Sequence, residues 1–363
     1  MAKAPAKGGS LAERMKAAAK TPYAVLMGVD EDKFAVNEYL DTGNVLFNAL
    51  VSADPYKGVP AGKIIQLAGP ASTGKTYFCL ELVKSAQAAG YFVVLYDSEF
   101  ANNDKADLVR RGIDPNMLLW VGIDTVESLK TAVLNQLEEI NPGEKVAIMI
   151  DSIGNLSTSK EINDSTEGKE VRDMTRAQQL KALFRTCTLR AGVKGVPMFI
   201  VNHVYAAIGA GPYAGNTVGG GTGSVYMSSI IIELSKAQDK DGDEVVGAWI
   251  SAKSVKNRFA RERQKVKMNI KFGTGLKRYS GLFEFLYDEE QKLTRKGNYY
   301  QNPWTNHSLL RKDFTDEVWE QILQAGAADF LRKRFAYQSG AEDLLDEDME
   351  TTDEAVLLEE GEE

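Results

Sequence analysis

The sequence has few of the residues that build disulfide frameworks or cysteine-based metal sites. The 363 residues include two cysteines, Cys79 and Cys187, which form no metal or redox pattern. No apolar run approaches the roughly 18 residues of a membrane span, and the first nine residues lack the apolar core of a secretory signal. These absences indicate a cytoplasmic protein without a membrane partner. The 44% of hydrophobic residues is enough for a sizeable core.

The C-terminal stretch lacks positive charge altogether. Of the 51 acidic residues, 12 lie between Glu342 and Glu363, where there is no Lys or Arg. The rest of the chain has 39 acidic and 43 basic residues, so its net charge is +4. Such an acidic block is usually solvated and disordered. It could equally screen a basic groove from nucleic acid or dock on a basic partner. Both interpretations stay open.

Gly69–Thr76 fits the phosphate-binding pattern G-x-x-x-x-G-K-[ST]. The apolar run Ile64–Ala68 before it is typical of a buried strand, and Tyr77–Ala89 after it has helical spacing, as this loop requires. Its N–H groups would face a phosphate chain at a helix N-terminus, with Lys75 on the β- and γ-phosphates and Thr76 on Mg²⁺. We therefore predict an ATP and Mg²⁺ site formed by Gly69, Ser72, Thr73, Gly74, Lys75, Thr76 and Tyr77.

Strands and helices alternate after this loop. The strand patterns are 91–96, 117–122, 146–150 and 197–201, and the helical patterns are 104–112, 126–140 and 171–191. This alternation predicts an α/β fold with a mostly parallel sheet covered on both faces. Strand patterns at 229–234, 244–254 and 266–272 predict an antiparallel extension of the sheet, and helical spacing returns from 282 to 337. We divide the chain into an N-terminal helix-and-strand arm for protomer docking (1–40), an ATPase core (41–281), a small C-terminal lobe (282–340) and the acidic tail (341–363).

Carboxylates follow two of the predicted strands, at the sheet edge that faces the nucleotide in this fold class. Asp151 closes the strand 146–150 and is the expected second anchor for Mg²⁺. Hydrolysis also needs a base within reach of a water in line with the γ-phosphate. Glu99 and Asp97, at the tip of another strand, compete for that role; spacing favours Glu99 without excluding Asp97.

Two long segments leave the same predicted edge. Asn155–Lys169 follows Asp151, and the glycine-rich Val204–Gly223 follows His203, where a polar side chain can touch a γ-phosphate. Their length indicates DNA-binding loops that nucleotide orders, or a lid over a small substrate. Because the second segment has no Lys or Arg, phosphate neutralisation would fall mainly to the first. The candidate DNA contacts are Lys160, Lys169, Arg172, Arg176, Ile208, Tyr213, Gly220 and Gly221.

With these segments in this order, the chain resembles the RecA-family recombinases, most closely the UvsX-type strand-exchange proteins of bacteriophages. The resemblance covers about Tyr23 to Phe285. Besides the phosphate loop, it is carried by Tyr96–Phe100, Ile150–Leu156, Asp173–Ala177, Val201–His203 and Gly219–Gly223.

The resemblance implies a RecA-like P-loop ATPase that forms helical filaments on single-stranded DNA and exchanges strands with double-stranded DNA, aided by mediator and single-strand-binding proteins. A phage-encoded member would work in the host bacterial cytoplasm. The resemblance also implies that Glu99 is the catalytic base and His203 the γ-phosphate sensor. Lys256 and Arg258, otherwise plain surface cations, would reach a neighbouring protomer's γ-phosphate, and Tyr23–Met27 would dock on that neighbour.

Two other functions fit part of the pattern. A hexameric RecA-fold helicase motor shares the phosphate loop and Asp151, although the arm Tyr23–Met27 suits an open filament better than a ring. A regulatory ATP-binding module could instead bind a protein partner through its acidic tail.

Overall fold

The structure is a computed structural model that describes residues 10–30, 35–141, 143–168, 175–205, 217–218, 227–272 and 274–337. The acidic tail lies outside these residues, as do six candidate DNA contacts: Lys169, Arg172, Ile208, Tyr213, Gly220 and Gly221. None of the helices in the described ranges is long and apolar enough to cross a membrane.

The helices that follow the phosphate loop in the core lie close to the predicted positions, except that one helix also forms at Ser159–Thr166. The helices are α1 (Leu11–Ala18), α2 (Val45–Ser52), α3 (Lys75–Ala88), α4 (Lys105–Arg110), α5 (Val126–Glu139), α6 (Ser159–Thr166), α7 (Thr175–Lys194), α8 (Leu282–Glu284), α9 (Asp316–Ile322) and α10 (Ala328–Phe335). Both α8 and α9 run on into π-helical turns, at Phe285–Glu289 and Leu323–Ala327. Short 3-10 turns occur at Pro115–Met117 and Arg311–Asp313.

The strands are β1 (Tyr39–Leu40), β2 (Val59–Pro60), β3 (Ile64–Gly69), β4 (Phe92–Asp97), β5 (Leu118–Gly122), β6 (Val146–Asp151), β7 (Met198–Tyr205), β8 (Thr217–Val218), β9 (Ile230–Asp241), β10 (Glu244–Asn257), β11 (Lys265–Lys271), β12 (Gly275–Leu276), β13 (Thr294–Lys296), β14 (Tyr299–Gln301) and β15 (Ser308–Leu310). The main sheet has ten strands in the order β12-β11-β10-β9-β3-β7-β6-β4-β5, with β8 beside β7. Its β9-to-β5 part is parallel, and β10 to β12 extend it in antiparallel fashion. The predicted fold class is therefore confirmed.

Successive residues of the central strands belong to two apolar clusters, one on each face of the sheet. In β6, Ala147 and Met149 pack in the cluster that contains α2 and α3, while Ile148 and Ile150 pack in the cluster that contains α5 and α7. Because both faces are covered, β6 reads as a continuous apolar run rather than an alternating one. This burial on both sides fixes the strand ends that carry the polar residues described below.

The C-terminal lobe differs from the prediction of helical spacing throughout 282–337. Residues 294–310 form a three-stranded antiparallel sheet, β13-β14-β15. Its first hairpin pairs Lys296 with Tyr299 across Gly297, whose φ is +63°. A Gly-Asn pair between two short strands is a hairpin pattern that the helical interpretation overlooked. Apolar side chains of the lobe, including Trp319, share one cluster with α2, so lobe and core pack as one body.

The N-terminal arm is a helix followed by irregular chain. Ser10 and Glu13 form a capping box at the start of α1, as expected of a short amphipathic helix. The predicted extended stretch Tyr23–Met27 forms no strand within the described residues, because a strand needs a ladder partner beside it. Several apolar side chains of the arm are exposed: Leu11, Met15, Tyr23, Met27 and Val29.

Candidate nucleotide site

Strand register brings the predicted nucleotide-binding residues to one edge of the sheet. Gly69 at the end of β3 pairs with His203 on β7, and Asp97 at the end of β4 pairs with Asp151 at the end of β6. The pairing of Ile150 with Ile200 puts the Gly69–His203 pair two residues beyond the Asp97–Asp151 pair, and all four residues lie at the carboxyl ends of parallel strands. Ligands of open α/β sheets bind at that edge.

The phosphate loop joins β3 to a helix whose N-terminus is available to an anion. Gly74 begins α3 at φ +90°, a conformation that favours glycine. A Cβ on Gly69 would lie 2.7 Å from the carbonyl oxygen of Leu234, so the close packing against β9 requires glycine there. The N-caps of α1, α2, α4, α5 and α6 accept hydrogen bonds with their side chains, whereas α3 has no side-chain cap in the described structure. Its first N–H groups suit a phosphate.

Lys75 lies in the first turn of α3 and is buried. Its Nζ donates to the carbonyl oxygens of Gly69 at 2.9 Å and Pro70 at 2.7 Å, so the ammonium lies over the loop that would hold the phosphates. Burial lowers the pKa of Lys75, an effect that the nearby carboxylates of Asp151 and Glu99 oppose. An anion at this position would satisfy both the ammonium and the α3 N-terminus.

Asp151 has properties that suit a metal ligand. The carboxyl group is buried and hydrogen-bonds Thr76, yet its Oδ1 has no hydrogen-bond partner in the described structure. Burial raises its pKa to about 6, and the negative charges of Glu99 and Asp97 add to this rise, while Thr76 and Lys75 oppose it. A cation at Oδ1 would reverse the cost of burying this carboxylate.

The residues present fit Mg²⁺ bound together with phosphate. In the ranges described, no group of three or more His, Cys, Asp and Glu side chains could hold a metal ion. Thr76 and Asp151 supply only two oxygen ligands, so phosphate oxygens and waters would complete the octahedron that Mg²⁺ demands.

Asp97 and Glu99 have separate environments, which distinguishes the two candidates for the catalytic base. Asp97 is fully buried, and its carboxylate accepts hydrogen bonds from Glu99 N at 2.9 Å, Asn102 N at 2.8 Å and Trp120 Nε1 at 3.2 Å. It therefore shapes the turn that carries Glu99. The side chain of Glu99 is 36% exposed, so of the two carboxylates it is the one open to solvent at this edge.

Glu99 belongs to a small polar network with His203. Glu99 Oε1 lies 3.6 Å from His203 Nε2 and accepts a hydrogen bond from Ser152 Oγ at 3.3 Å. A Cβ on Gly154 would lie 2.4 Å from His203 Cδ2, so glycine is required beneath the imidazole. Sequence analysis did not single out Ser152 or Gly154 for this role, although both lie in the Ile150–Leu156 stretch that it quoted.

A cavity of about 490 Å³ opens beside the phosphate loop, from Gly74 along the side of α3 that faces β10 and β11. Tyr77 lines it from α3, and Phe272, which is 62% exposed, lines it from the end of β11. The hydroxyl of Tyr77 accepts a hydrogen bond from Leu276 N at 3.0 Å, which fixes its ring. Two aromatic rings and an opening at the phosphate loop suit a nucleobase.

Lys256 and Arg258 do not join this site within one chain. Lys256 of β10 pairs with Ile231 of β9, and Ile231 pairs with Gln66 of β3, which is three residues before Gly69. With the usual distance between strands and the usual rise per residue, this register puts Lys256 roughly 14 Å from Gly69. Asn257 lies between the two cations, and its buried amide donates to the carbonyl oxygens of Leu50 and Val51, both at 3.0 Å. Burial and the neighbouring Arg258 lower the pKa of Lys256, so the two cations lie close to each other.

The described part of the first predicted DNA segment is partly helical. α6 begins at a capping box formed by Thr158 and Glu161, a pattern visible in the sequence that the loop interpretation missed. Lys160 on α6 is exposed and pairs with Asp164 at 2.9 Å. Arg176, in the first turn of α7, contacts the backbone of the loop after Asp151 rather than extending into solvent.

Comparison with known proteins finds recombination proteins among those similar to this chain. A 34% identical relative over 281 residues is the recombination and repair protein of Enterobacteria phage T4, with 77% of this chain and 68% of the relative aligned. Protein RecA of Treponema denticola is 28% identical over 266 residues, which cover 72% of this chain and 62%, or just under two thirds, of that protein. A crystal structure of the RadB recombinase aligns with 66% of this chain at 19% identity and a TM-score of 0.49, covering all of that chain.

The comparison with protein families shows where this chain belongs. Residues 15–277 match the RecA N-terminal domain, a range that contains the whole main sheet, the phosphate loop, Asp151 and the Glu99–His203 pair. The chain therefore belongs to the RecA N-terminal domain family.

Proposed function

We propose that this protein is an ATP-dependent DNA recombinase that forms helical filaments on single-stranded DNA and pairs it with homologous double-stranded DNA. Its family and the recombination and repair function named for the T4 relative support this proposal. The observation that carries it concerns Lys256 and its neighbour Arg258: strand register puts Lys256 roughly 14 Å from Gly69 of its own phosphate loop. A hydrolytic site that uses these cations is complete only where a second copy supplies them.

ATP hydrolysis would then use residues of two protomers. The α3 N-terminus and Lys75 would hold the phosphates, and Glu99 would accept the proton of the attacking water. Mg²⁺, held by Thr76 and Asp151, would neutralise phosphate charge when bound. Lys256 and Arg258 of the neighbouring protomer would stabilise the charge of the transition state, as arginine fingers do.

The N-terminal arm would connect the protomers. Met27 and Val29 are 83% and 80% exposed, and the helix before them adds further exposed apolar side chains. Exposed apolar side chains gain free energy when they are buried, so those of this short arm would favour packing on a second copy of the chain. A head-to-tail contact of this kind builds an open helix when its rotation does not close.

DNA would lie along the edge where Asn155–Lys169 and Val204–Gly223 leave the sheet. His203 would report the γ-phosphate to the second segment, which begins directly after it. Cations would neutralise DNA phosphates, and apolar wedges and backbone N–H groups would contact bases and backbone. The proposed contacts are Lys160, Lys169, Arg172, Ile208, Tyr213, Gly220 and Gly221; mediator and single-strand-binding proteins are proposed as further partners.

The test is ATP hydrolysis with and without single-stranded DNA, with negative-stain images of the same samples. We expect strong stimulation by DNA together with helical filaments. Closed rings would favour a hexameric helicase motor. The absence of both stimulation and assembly would overturn the proposal and favour a regulatory ATP-binding module.

A further inference from the structure

One arginine joins the two ends of the first predicted DNA segment. Arg176 lies in the first turn of α7, just after that segment, and its guanidinium reaches back to the residues just before α6. Its Nε donates to the carbonyl oxygen of Leu156 at 2.8 Å, and its Nη2 donates to those of Ile153 at 2.8 Å and Gly154 at 2.9 Å. We call these three hydrogen bonds the Arg176 clamp.

The chemistry of the guanidinium makes the clamp specific. Its hydrogen bonds to carbonyl oxygens are strong, and its planar fork can reach several acceptors in one fixed geometry. The side chain is half-buried, and it would have to break these bonds to reach a DNA phosphate.

The clamped backbone supports the polar pair of the nucleotide site. Ile153 N donates to the carbonyl oxygen of Val201 at 3.0 Å, on the strand that carries His203. Gly154 lies directly against the imidazole, where a Cβ would come within 2.4 Å of His203 Cδ2. A shift of residues 153–156 would therefore change the 3.6 Å separation between His203 Nε2 and Glu99 Oε1.

We infer that Arg176 is a positioning residue for ATP hydrolysis: its clamp holds the loop after Asp151 under His203 and transmits movement of the DNA segment to the His203–Glu99 pair. The inference rests on the proposed function, since it concerns the DNA dependence of the same hydrolytic site. It replaces the direct phosphate contact that the charge of Arg176 alone suggests.

The experiment compares Arg176→Lys, Arg176→Gln and the matched control Lys181→Gln in the full-length protein. Lys181 is an exposed cation further along α7, so its substitution removes the same charge without touching the clamp. The readouts are kcat and KM for ATP with saturating oligo(dT), and the slope of log Kd against log salt for oligo(dT) binding. A positioning role predicts that both Arg176 variants lose about 10- to 100-fold in kcat, the scale of an ångström misplacement. KM and the salt slope should stay as in wild type, and Lys181→Gln should keep the wild-type kcat.

A phosphate contact predicts the opposite pattern and would overturn the inference. Arg176→Lys would then keep the wild-type kcat, and Arg176→Gln would reduce the salt slope by about 0.7, the value for one contact with single-stranded nucleic acid. If Arg176→Gln fails to fold, Arg176→Lys decides by the same criterion, because it keeps both charge and helix propensity.

Amide hydrogen exchange of residues 152–157 gives a readout independent of hydrolysis. The clamp predicts faster exchange there in Arg176→Lys than in wild type or Lys181→Gln, and unchanged exchange would overturn the inference. A wild-type protein that hydrolyses no ATP would overturn the proposed function instead. Wild-type activity matched by Arg176→Lys would leave that function standing and overturn only the role of Arg176.

Discussion

His203 Nε2 lies 3.6 Å from Glu99 Oε1, although His203 lies on β7, Glu99 follows β4, and β6 separates these two strands in the sheet. Ser152, which follows β6, donates its hydroxyl to the same carboxylate oxygen at 3.3 Å. Three adjacent strand ends thus contribute to one network beside the phosphate loop. Such a network can couple a base for hydrolysis to a residue that begins a predicted DNA segment.

Glu99→Gln should remove hydrolysis while ATP binding is retained. The amide cannot accept the proton of the attacking water, and loss of a general base typically costs about 10²- to 10⁴-fold. The measurement is kcat for ATP in the presence of DNA, together with the affinity for ATP. Hydrolysis within a few fold of wild type would show that another residue is the base.

Asp97→Ala should act on stability instead. It leaves the N–H groups of Glu99, Asn102 and Trp120 without their carboxylate acceptor, and unpaired buried polar groups cost about 1–3 kcal/mol each. Denaturant unfolding should show a lower free energy of unfolding for Asp97→Ala and an unchanged one for Glu99→Gln. Equal stabilities would contradict the structural role assigned to Asp97.

Asp151→Asn should stabilise the nucleotide-free protein, and more so at higher pH. The pKa of Asp151 rises from an ordinary 3.8 to about 6 in the folded state, so between these values the unfolded chain releases the proton first. Ionisation of Asp151 therefore lowers the free energy of unfolding. This loss grows as the pH rises from about 4 and reaches its full value above about pH 6. In EDTA we expect a gain of about 1–3 kcal/mol at pH 8 and a smaller gain at pH 5.

The same variant should lose Mg²⁺-dependent hydrolysis, because a neutral amide is a poor ligand for Mg²⁺. Wild-type Mg²⁺ affinity should weaken as the pH falls through about 6, where Asp151 becomes protonated. A variant no more stable than wild type at pH 8 would show that the buried carboxylate is compensated in another way.

Lys75→Ala should abolish ATP binding and with it nucleotide-dependent DNA binding. The ammonium lies over the loop carbonyls of Gly69 and Pro70, where the phosphates would bind. Isothermal titration with ATP and gel shifts with oligo(dT), with and without nucleotide, provide the measurement. ATP-stimulated filament formation by this variant would count against the proposed mechanism.

An equimolar mixture of Glu99→Gln and Arg258→Ala proteins should regain hydrolysis that neither has alone. If Arg258 acts on the neighbouring protomer, about one interface in four in a random filament combines an intact Glu99 with an intact Arg258. The mixture should therefore show about a quarter of the wild-type rate. A mixture as inactive as its components would mean that Arg258 acts within its own chain, and an Arg258→Ala protein that is active alone would mean that Arg258 has no role in hydrolysis.

Removal of Glu342–Glu363 should strengthen DNA binding, mostly at low salt. The deletion removes 12 negative charges and no positive ones, and salt screens whatever repulsion they exert on DNA. Affinities for oligo(dT) at about 10 mM and 300 mM salt, which span Debye lengths of about 30 Å to 6 Å, provide the measurement. Equal affinities of the full and shortened chains at low salt would refute a screening role.

Adjacent residues encode much of the fold and of the phosphate loop. The apolar strand before the loop and the helix after it are local patterns, and the structure has both close to where they were predicted. The hairpin at Gly297 and the capping box at Thr158 were equally local, and they went unnoticed because helical and loop patterns were preferred. Both features could have been predicted, because the residues that form them are neighbours in the sequence.

The sequence by itself determined a parallel α/β core with a phosphate loop, because strand burial, helix periodicity and turn conformation depend on neighbours along the chain. Only the tertiary structure decided that Asp97 supports Glu99, that Arg176 clamps the loop beneath His203, and that Lys256 lies far from its own phosphate loop. Those relations depend on strand register and on contacts between residues distant in sequence. At Asp97, Arg176 and Lys256 the sequence gives only the residue type and its charge. These do not specify which partner the side chain will contact.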